Sequence, residues 1–273
     1  MSDAIRVGLV GFGYASKTFH APLIGGTPGM ALKAVASSDA DKVHADWPGV
    51  KVMSAPGDLL DDPDIDLVVI ATPNDTHFPL AKAALEAGKH VVVDKPFTVT
   101  LSQARELESL AKHCGRILSV FHNRRWDSDF LTVSALINEG QLGEVCYFES
   151  HFDRFRPQVR QRWREQAGPG SGIWYDLAPH LLDQVVVLFG LPVSITVDLA
   201  QLRPGAQSTD YFHAVLAYPQ RRVVLHGTLL AAAESARFIV HGSRASYIKY
   251  GLDPQEERLK NGERLPQEDW GYD

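Results

Sequence analysis

Asp176 and His180 stand four residues apart in Trp174-Tyr175-Asp176-Leu177-Ala178-Pro179-His180. On a helix that spacing puts a carboxylate and an imidazole on one face, continued by Gln184, while Leu177, Leu181, Val185 and Leu188 line another. A carboxylate that sets the tautomer of an imidazole and supports its charged form makes a proton-handling pair. An ordinary hydrogen-bonded pair on a helix surface has the same spacing. Lys95, in Asp94-Lys95-Pro96, follows Val91-Val92-Val93, so its charge stands beside a buried run and should face the rim where open α/β sheets bind ligands. The alternative is a solvated lysine at a strand end. Cys114 and Cys146 are far apart and no zinc-ligand spacing is present, so no metal site is expected.

A second chemistry is anion binding. Gly11-Phe12-Gly13-Tyr14-Ala15-Ser16 follows an apolar run and opens a helical stretch. The first glycine permits a tight turn, and the second lets a pyrophosphate approach the backbone at a helix N-terminus, where free amides and the dipole favour anions. The third position of this dinucleotide pattern is Ser16 rather than Gly or Ala, and a plain tight turn is the alternative reading. At the end of the second strand an acidic residue would hold the ribose 2′-OH of NAD, but Ser37-Ser38 stand there, with Asp39 displaced by two positions. Hydroxyls can donate to a 2′-phosphate and a carboxylate cannot, so NADP is expected in preference to NAD, although no Arg follows to clamp the phosphate. Two serines opening an ordinary turn would look the same. Thr72-Pro73-Asn74, with His77, leaves the third strand, and Asp94-Lys95-Pro96 leaves the fourth, both at carboxyl ends of parallel strands. Asn74 and Thr76 could equally cap the next helix.

The run from Asp153 to Arg164 holds five arginines, a solvated loop or a positive lip for a phosphate-bearing cofactor. Asn123-Arg124-Arg125-Trp126, just beyond the fifth strand, is open to the same two readings.

These residues need a scaffold, and the hydrophobic pattern describes one. Apolar runs at 5–10, 32–36, 66–71, 90–93 and 116–120 read as strands, separated by helical stretches at 79–87 and 102–114. Strands alternating with helices make a parallel sheet covered on both faces. After about residue 122 the order changes: a helix over 129–139, a strand over 144–152, a helix over 174–189, then strands over 193–202, 211–218 and 221–230. Strands this close are hairpin-connected. The fold class is therefore α/β, an N-terminal Rossmann domain with a doubly wound parallel sheet over 1–122, followed by a C-terminal α+β domain over 123–273 with a mostly antiparallel open sheet. Residues 251–273 read as a polar loop.

The balance of 27 basic and 33 acidic residues, net charge −6, argues against a general nucleic-acid binder. No signal peptide or membrane-length apolar run is visible, and two cysteines cannot build a disulfide framework, so a soluble protein of the reducing cytosol is expected.

Gly11-x-Gly13, Thr72-Pro73-Asn74 with His77, Asp94-Lys95-Pro96, Trp163-Arg164 and Asp176-x3-His180 occur in an order that resembles the glucose-fructose oxidoreductase and inositol dehydrogenase (Gfo/Idh/MocA) family over nearly all the chain. The wording Val-Val-Val-Asp-Lys-Pro-Phe and Gly-Ile-Trp-Tyr-Asp-Leu-Ala-Pro-His is most like bacterial oxidoreductases near the NADP-dependent scyllo-inositol dehydrogenases. The family more often has Glu at the position of Asp94, and its members usually continue for tens of residues beyond the point where this chain stops. The resemblance implies that Lys95, Asp176 and His180 meet around the nicotinamide as catalytic residues. It places Gly11, Phe12, Gly13, Tyr14, Ala15, Ser37, Ser38, Thr72, Pro73, Asn74, His77, Asp94, Lys95, Trp163 and Arg164 around the cofactor, and Asn123, Arg124 and Tyr175 on the substrate side with the catalytic three.

The expected activity is reversible hydride transfer between NADP and a secondary hydroxyl of a cyclic polyol or sugar. The rivals are reduction of another small carbonyl, imine or conjugated alkene, and a non-catalytic NADP-binding sensor. Neither face of 211–218 or 221–230 is polar throughout, so a second apolar sheet face is expected to pair two chains into a homodimer, or a tetramer of such dimers, with Leu216 and Leu225 as candidate contacts.

Overall fold

The computed structural model describes residues 4–263, which fall into two units: one holds the chain up to Phe121 with the segment from Gln255, the other His122–Pro254. In the first unit β1 (Ile5–Val10), α1 (Ala21–Gly26), β2 (Met30–Ala36), α2 (Ala40–Asp46), β3 (Lys51–Met53), α3 (Pro56–Leu60), β4 (Leu67–Ile70), α4 (Asn74–Glu86), β5 (His90–Asp94), α5 (Leu101–Cys114) and β6 (Leu118–Phe121) alternate along the chain. Every strand pairing is parallel, and the order β3-β2-β1-β4-β5-β6 is that of a doubly wound sheet whose direction of winding reverses between β1 and β4.

The near-continuous apolar strands follow from burial on both faces. Val10, Ile70, Val91 and Val93 pack with Leu85 and Leu107, while Val7, Leu9, Val35 and Val69 pack with Ala21, Ile24 and Val43. Thr100 and Gln103 cap α5 reciprocally, which fixes where the chain turns into that helix after the Lys95 loop. The sheet has one strand more than the sequence predicts, because the three residues of β3 are too few to display a period.

The second unit holds α6 (Ser128–Asn138), β7 (Val145–His151), α7 (Gly172–Phe189), β8 (Ser194–Ala200), β9 (Tyr211–Ala217), β10 (Arg222–Thr228), β11 (Phe238–Gly242) and β12 (Ser246–Lys249). Its sheet runs β12-β11-β7-β10-β9-β8, antiparallel except for the β7–β10 pair. One face is the core, where Leu177, Leu181 and Val185 of α7 meet Phe148, Phe212, Leu216, Leu225 and Phe238.

The structure departs from the sequence reading in three places here. β11 and β12 are absent from the sequence reading; at five and four residues they are too short to display a clear period. The polar segment from 251 is not all loop, since α8 (Gln255–Lys260) forms within it and clusters with the first unit; residues 264–273 lie outside the described residues. Leu216 and Leu225 are fully buried under α7, so they are core and not contact residues. Strand alternation turns Glu149, His151, His213, Val215 and His226 to the opposite face instead, which is therefore mixed and rich in histidine rather than broadly apolar. Among the described residues no helix is long and apolar enough to cross a membrane.

Candidate active site

In the first unit the glycine loop leaves β1 at the point where the sheet reverses. Gly11 has φ +88°, and a Cβ there would lie 2.8 Å from the Ala71 carbonyl oxygen, so both conformation and contact require glycine. A Cβ on Gly13 would meet nothing within 4 Å. Backbone can thus be approached at the start of the following helix, as pyrophosphate binding needs. Ser16 is no defect: buried, it donates from Oγ to the Gly11 carbonyl at 2.8 Å and pins the loop. Residues Ser16–His20 form a π-helical stretch before α1, a distortion frequent at functional sites. Tyr14 is exposed, its hydroxyl 2.5 Å from Glu256 of α8, with the Lys260 ammonium 5.7 Å from its ring centroid.

The adjoining turns complete this rim. The Ser37 hydroxyl shares a local turn with the backbone of Asp39, Ser38 is exposed, and the Asp39 carboxylate caps α2 by accepting from the Lys42 amide at 3.0 Å. Asp39 therefore has a structural task. Thr72 and Thr76 hydroxyls lie 2.6 Å apart at the start of α4, and Asn74 is buried. His77 is also buried, with one ring nitrogen 2.9 Å from the Thr72 carbonyl and the other 2.9 Å from that of Pro96. It braces the two rim loops against each other, which makes it a positioning residue. Asp94 ends β5 and accepts from the Lys95 amide at 2.8 Å, while His20 Nε2 approaches it to 3.9 Å. Burial pushes the Asp94 carboxyl up, but His20 and Lys95 outweigh it and hold it below its ordinary value. Lys95 is half-buried beside it. The sequence reading missed His20; its only signal was an imidazole in a helix that must pack on the sheet.

In the second unit α7 presents Tyr175, Asp176, His180 and Gln184. It starts tightly against the connection between β8 and β9: Gly172 has φ +81°, and a Cβ there would lie 2.8 Å from the Thr209 amide nitrogen. Asp176 stands between Arg164 Nε at 3.6 Å and Arg154 Nη1 at 3.9 Å. One turn on, His180 is buried, its ring edge-on to Phe152 at 6.2 Å, and Arg124 lies 5.2 Å above that same Phe152 ring. Gln184 is fully buried and donates to the Arg124 carbonyl at 2.8 Å, fixing the Asn123–Trp126 turn against α7. Arg124 also pairs with Asp127 at 3.0 Å, whose carboxyl burial pushes up to about 6.

The arginine run is a partly exposed loop that is anchored at several points. Glu165 accepts from Arg162 at 2.7 Å and from the Arg160 amide at 3.0 Å, and it pairs with buried Arg203, which in turn binds buried Asp210 at 2.9 Å. Burial and the neighbouring Arg154, Arg160 and Arg162 lower the pKa of Arg156, as crowded cations must. Half-exposed Trp163 carries the Arg164 guanidinium at 4.7 Å from its ring. This arrangement presents an anchored cationic surface beside Asp176.

The family description "Oxidoreductase family, NAD-binding Rossmann fold" matches residues 5–122, and "Oxidoreductase family, C-terminal alpha/beta domain" matches residues 134–273. The chain is 82% identical over its whole length to the uncharacterized oxidoreductase YdgJ of Escherichia coli, spanning 79% of that protein. It is 38% identical to the scyllo-inositol 2-dehydrogenase (NADP(+)) IolW of Bacillus subtilis, over 99% of this chain and 76% of that one. Among solved structures it resembles a biliverdin reductase from Synechocystis in complex with biliverdin and NADP+, with a TM-score of 0.77 and 27% identity, covering 91% of this chain and 81% of that one. A glycine loop at the reversal of a doubly wound sheet, an Asp-Lys-Pro rim and an Asp-x3-His helix, matched by family descriptions over both units, establish that the chain belongs to the Gfo/Idh/MocA oxidoreductase family.

Proposed function

We propose that the chain catalyses reversible oxidation of a secondary hydroxyl on a cyclic polyol or sugar, an inositol-like substrate, with NADP preferred to NAD. The observation that carries this reading is the α7 face, where Asp176, flanked by Arg154 and Arg164, lies one turn from buried His180. Bound nicotinamide supplies the acceptor for the hydride that leaves the carbinol carbon. The alcohol releases that hydride only as its O–H proton departs, so a base must lie within about 3 Å of the oxygen. His180 takes the proton, and Asp176 orients the ring and supports the imidazolium. Lys95 donates to the same oxygen and offsets its growing negative charge, an electrostatic contribution of roughly 3 kcal/mol at a buried site. Asn123, Arg124 and Tyr175 hold the remaining substrate hydroxyls, while Trp163 and Arg164 extend the cofactor side. The relative named as an NADP-dependent scyllo-inositol dehydrogenase supports both the substrate class and the cofactor. Free Cys114 and Cys146 fit a cytosolic location.

The test is incubation with NADP+ and a panel of cyclic polyols while following absorbance of the reduced cofactor. Turnover of at least one polyol is expected, and a wholly silent panel overturns the reading. A second reading, reduction of a conjugated alkene or imine, is favoured by the likeness to a biliverdin reductase. Oxidation of NADPH by such compounds, with every polyol inert, would select it; NADP binding with neither reaction would select a sensor.

The cofactor preference has its own test. Ser37→Asp places a carboxylate where a 2′-phosphate would approach, and should raise the Kd for NADP about tenfold or more through repulsion while leaving that for NAD unchanged or lower. Equal affinity of the unmodified chain for both cofactors would remove the basis of the preference.

We also propose that two chains pair through the outer face of the second sheet, forming a homodimer or a tetramer of such dimers, the support being a single apolar row on that otherwise mixed face, Val215, Val224, Ile239 and Ile248, interrupted by Glu149. Val215→Glu should shift the sedimentation profile toward monomer, and a profile showing only monomer in the unmodified protein at micromolar concentration would contradict the assembly.

A further inference from the structure

The second sheet carries a row of imidazoles that no single stretch of sequence announces. His151 of β7 is directly paired with His226 of β10, which is directly paired with His213 of β9, so three histidines stand side by side across three strands on the face away from α7. Asp153, just beyond β7, turns its carboxylate between two of them: one oxygen lies 3.0 Å from His151 Nδ1 and the other 2.8 Å from His226 Nδ1. One ligand atom from each of His151, Asp153 and His226 lies within 4.8 Å of the other two.

We propose that His151, Asp153 and His226 form a binding site for a divalent first-row metal ion, Zn2+ in its most common form. Two imidazole nitrogens and one carboxylate oxygen are a borderline-soft set that suits zinc and its neighbours, whereas magnesium and calcium require oxygen-only shells. The ligand atoms must draw together slightly, since bonds of about 2.0–2.1 Å bring tetrahedral ligands to roughly 3.4 Å from one another. To ligate the ion, each Nδ1 gives up the proton through which it now reaches Asp153, so binding releases two protons to solvent.

The surroundings fit this role independently of the three ligands. His151 Nε2, the nitrogen left over when Nδ1 binds metal, lies 2.6 Å from Glu149 Oε1, and Glu149 in turn accepts from the Tyr147 hydroxyl at 2.5 Å. This is the carboxylate–histidine–metal arrangement that fixes ring orientation and raises ligand basicity. In the single chain the ligands are largely sheltered, with side-chain exposures of 17% for both histidines and 7% for Asp153, and the proposed pairing of two chains on this face would leave the site beside the seam. A cavity of about 160 Å³, lined by His151, Asp153, Glu234 and Ser235 among others, adjoins two of the three ligands and gives a fourth, water or a small anion, room to enter.

Calorimetric titration of the chelator-treated full chain with Zn2+, and of Co2+ followed by its visible absorption, tests the site. One Zn2+ per chain is expected, displacing Co2+ and its tetrahedral-type spectrum, with Mg2+ unable to compete. His226→Asn and Asp153→Asn should abolish stoichiometric binding, Glu149→Gln should weaken it about tenfold, and His180→Asn should bind as the parent does. Circular dichroism identifies any variant that fails to fold, and in that event the titration of the unmodified chain still decides. Absence of binding by the unmodified chain at micromolar Zn2+, or binding undiminished in folded His226→Asn, overturns the proposal.

Discussion

Lys95→Met and His180→Ala are each expected to lower kcat by about 10²–10³-fold or more while changing NADP affinity by no more than about twofold. In the proposed mechanism the ammonium and the imidazole serve the same substrate oxygen, one holding it and the other removing its proton, and neither is assigned to the adenosine half of the cofactor. The double variant should therefore lose much less than the product of the two single losses. Fluorescence titration of NADPH alongside steady-state rates separates the two effects. Substantial turnover in the double variant would place the chemistry on other residues.

The second large effect concerns stability. Arg237 is buried in the second unit, where Nη1 donates to Ser150 Oγ at 2.6 Å and to the His151 carbonyl at 3.1 Å, Nη2 donates to Gln184 at 3.2 Å, and Nε pairs with fully buried Asp129 at 3.4 Å. Its guanidinium lies 4.3 Å from the centroid of the Phe152 ring and 4.2 Å from that of Phe238. Burial lowers its pKa to about 10, and Asp129 opposes that fall. Asp129 is itself pushed up by burial, with Arg237 as the main opposing charge. Arg237→Met strands this carboxylate in the core and should destabilise the second unit by about 3–5 kcal/mol. Adding Asp129→Leu removes the stranded charge and should recover most of the loss, since a buried pair replaced by apolar groups of similar volume is often neutral. Denaturant unfolding checks both, and a loss below about 1 kcal/mol in the single variant would show that the pair does not hold the unit together.

These two cases mark what the sequence makes legible. Gly11-x-Gly13 and Asp176-x3-His180 act through neighbours along the chain, so a turn or a helical period suffices to place them. The doubly wound order follows from alternating elements in the same way. His151 with His226 depends on strand register, while Arg237 with Asp129 and Arg203 with Glu165 depend on how distant segments pack, and Arg203 with Asp210 on the course of the loop between β8 and β9, none of which periodicity encodes. Leu216 and Leu225 illustrate the same limit: alternation put them on one face, but only the packing of α7 decided that this face is the core. Gln184, read as an extension of the Asp176–His180 face, instead joins Arg124 to Arg237 from within the core.

The proposed hydride transfer from a polyol carbon to NADP, with Lys95, Asp176 and His180 assigned to the reacting oxygen, is decided by isotope transfer. The unmodified chain is incubated with NADP+ and a cyclic polyol deuterated at its carbinol carbons, and the nicotinamide product is examined by mass spectrometry. One deuterium per reduced cofactor, formed far more slowly by His180→Ala, is the predicted result. Reduced cofactor without the label would rule out transfer from the carbinol carbon, and labelled cofactor formed equally fast without His180 would rule out His180 as the base.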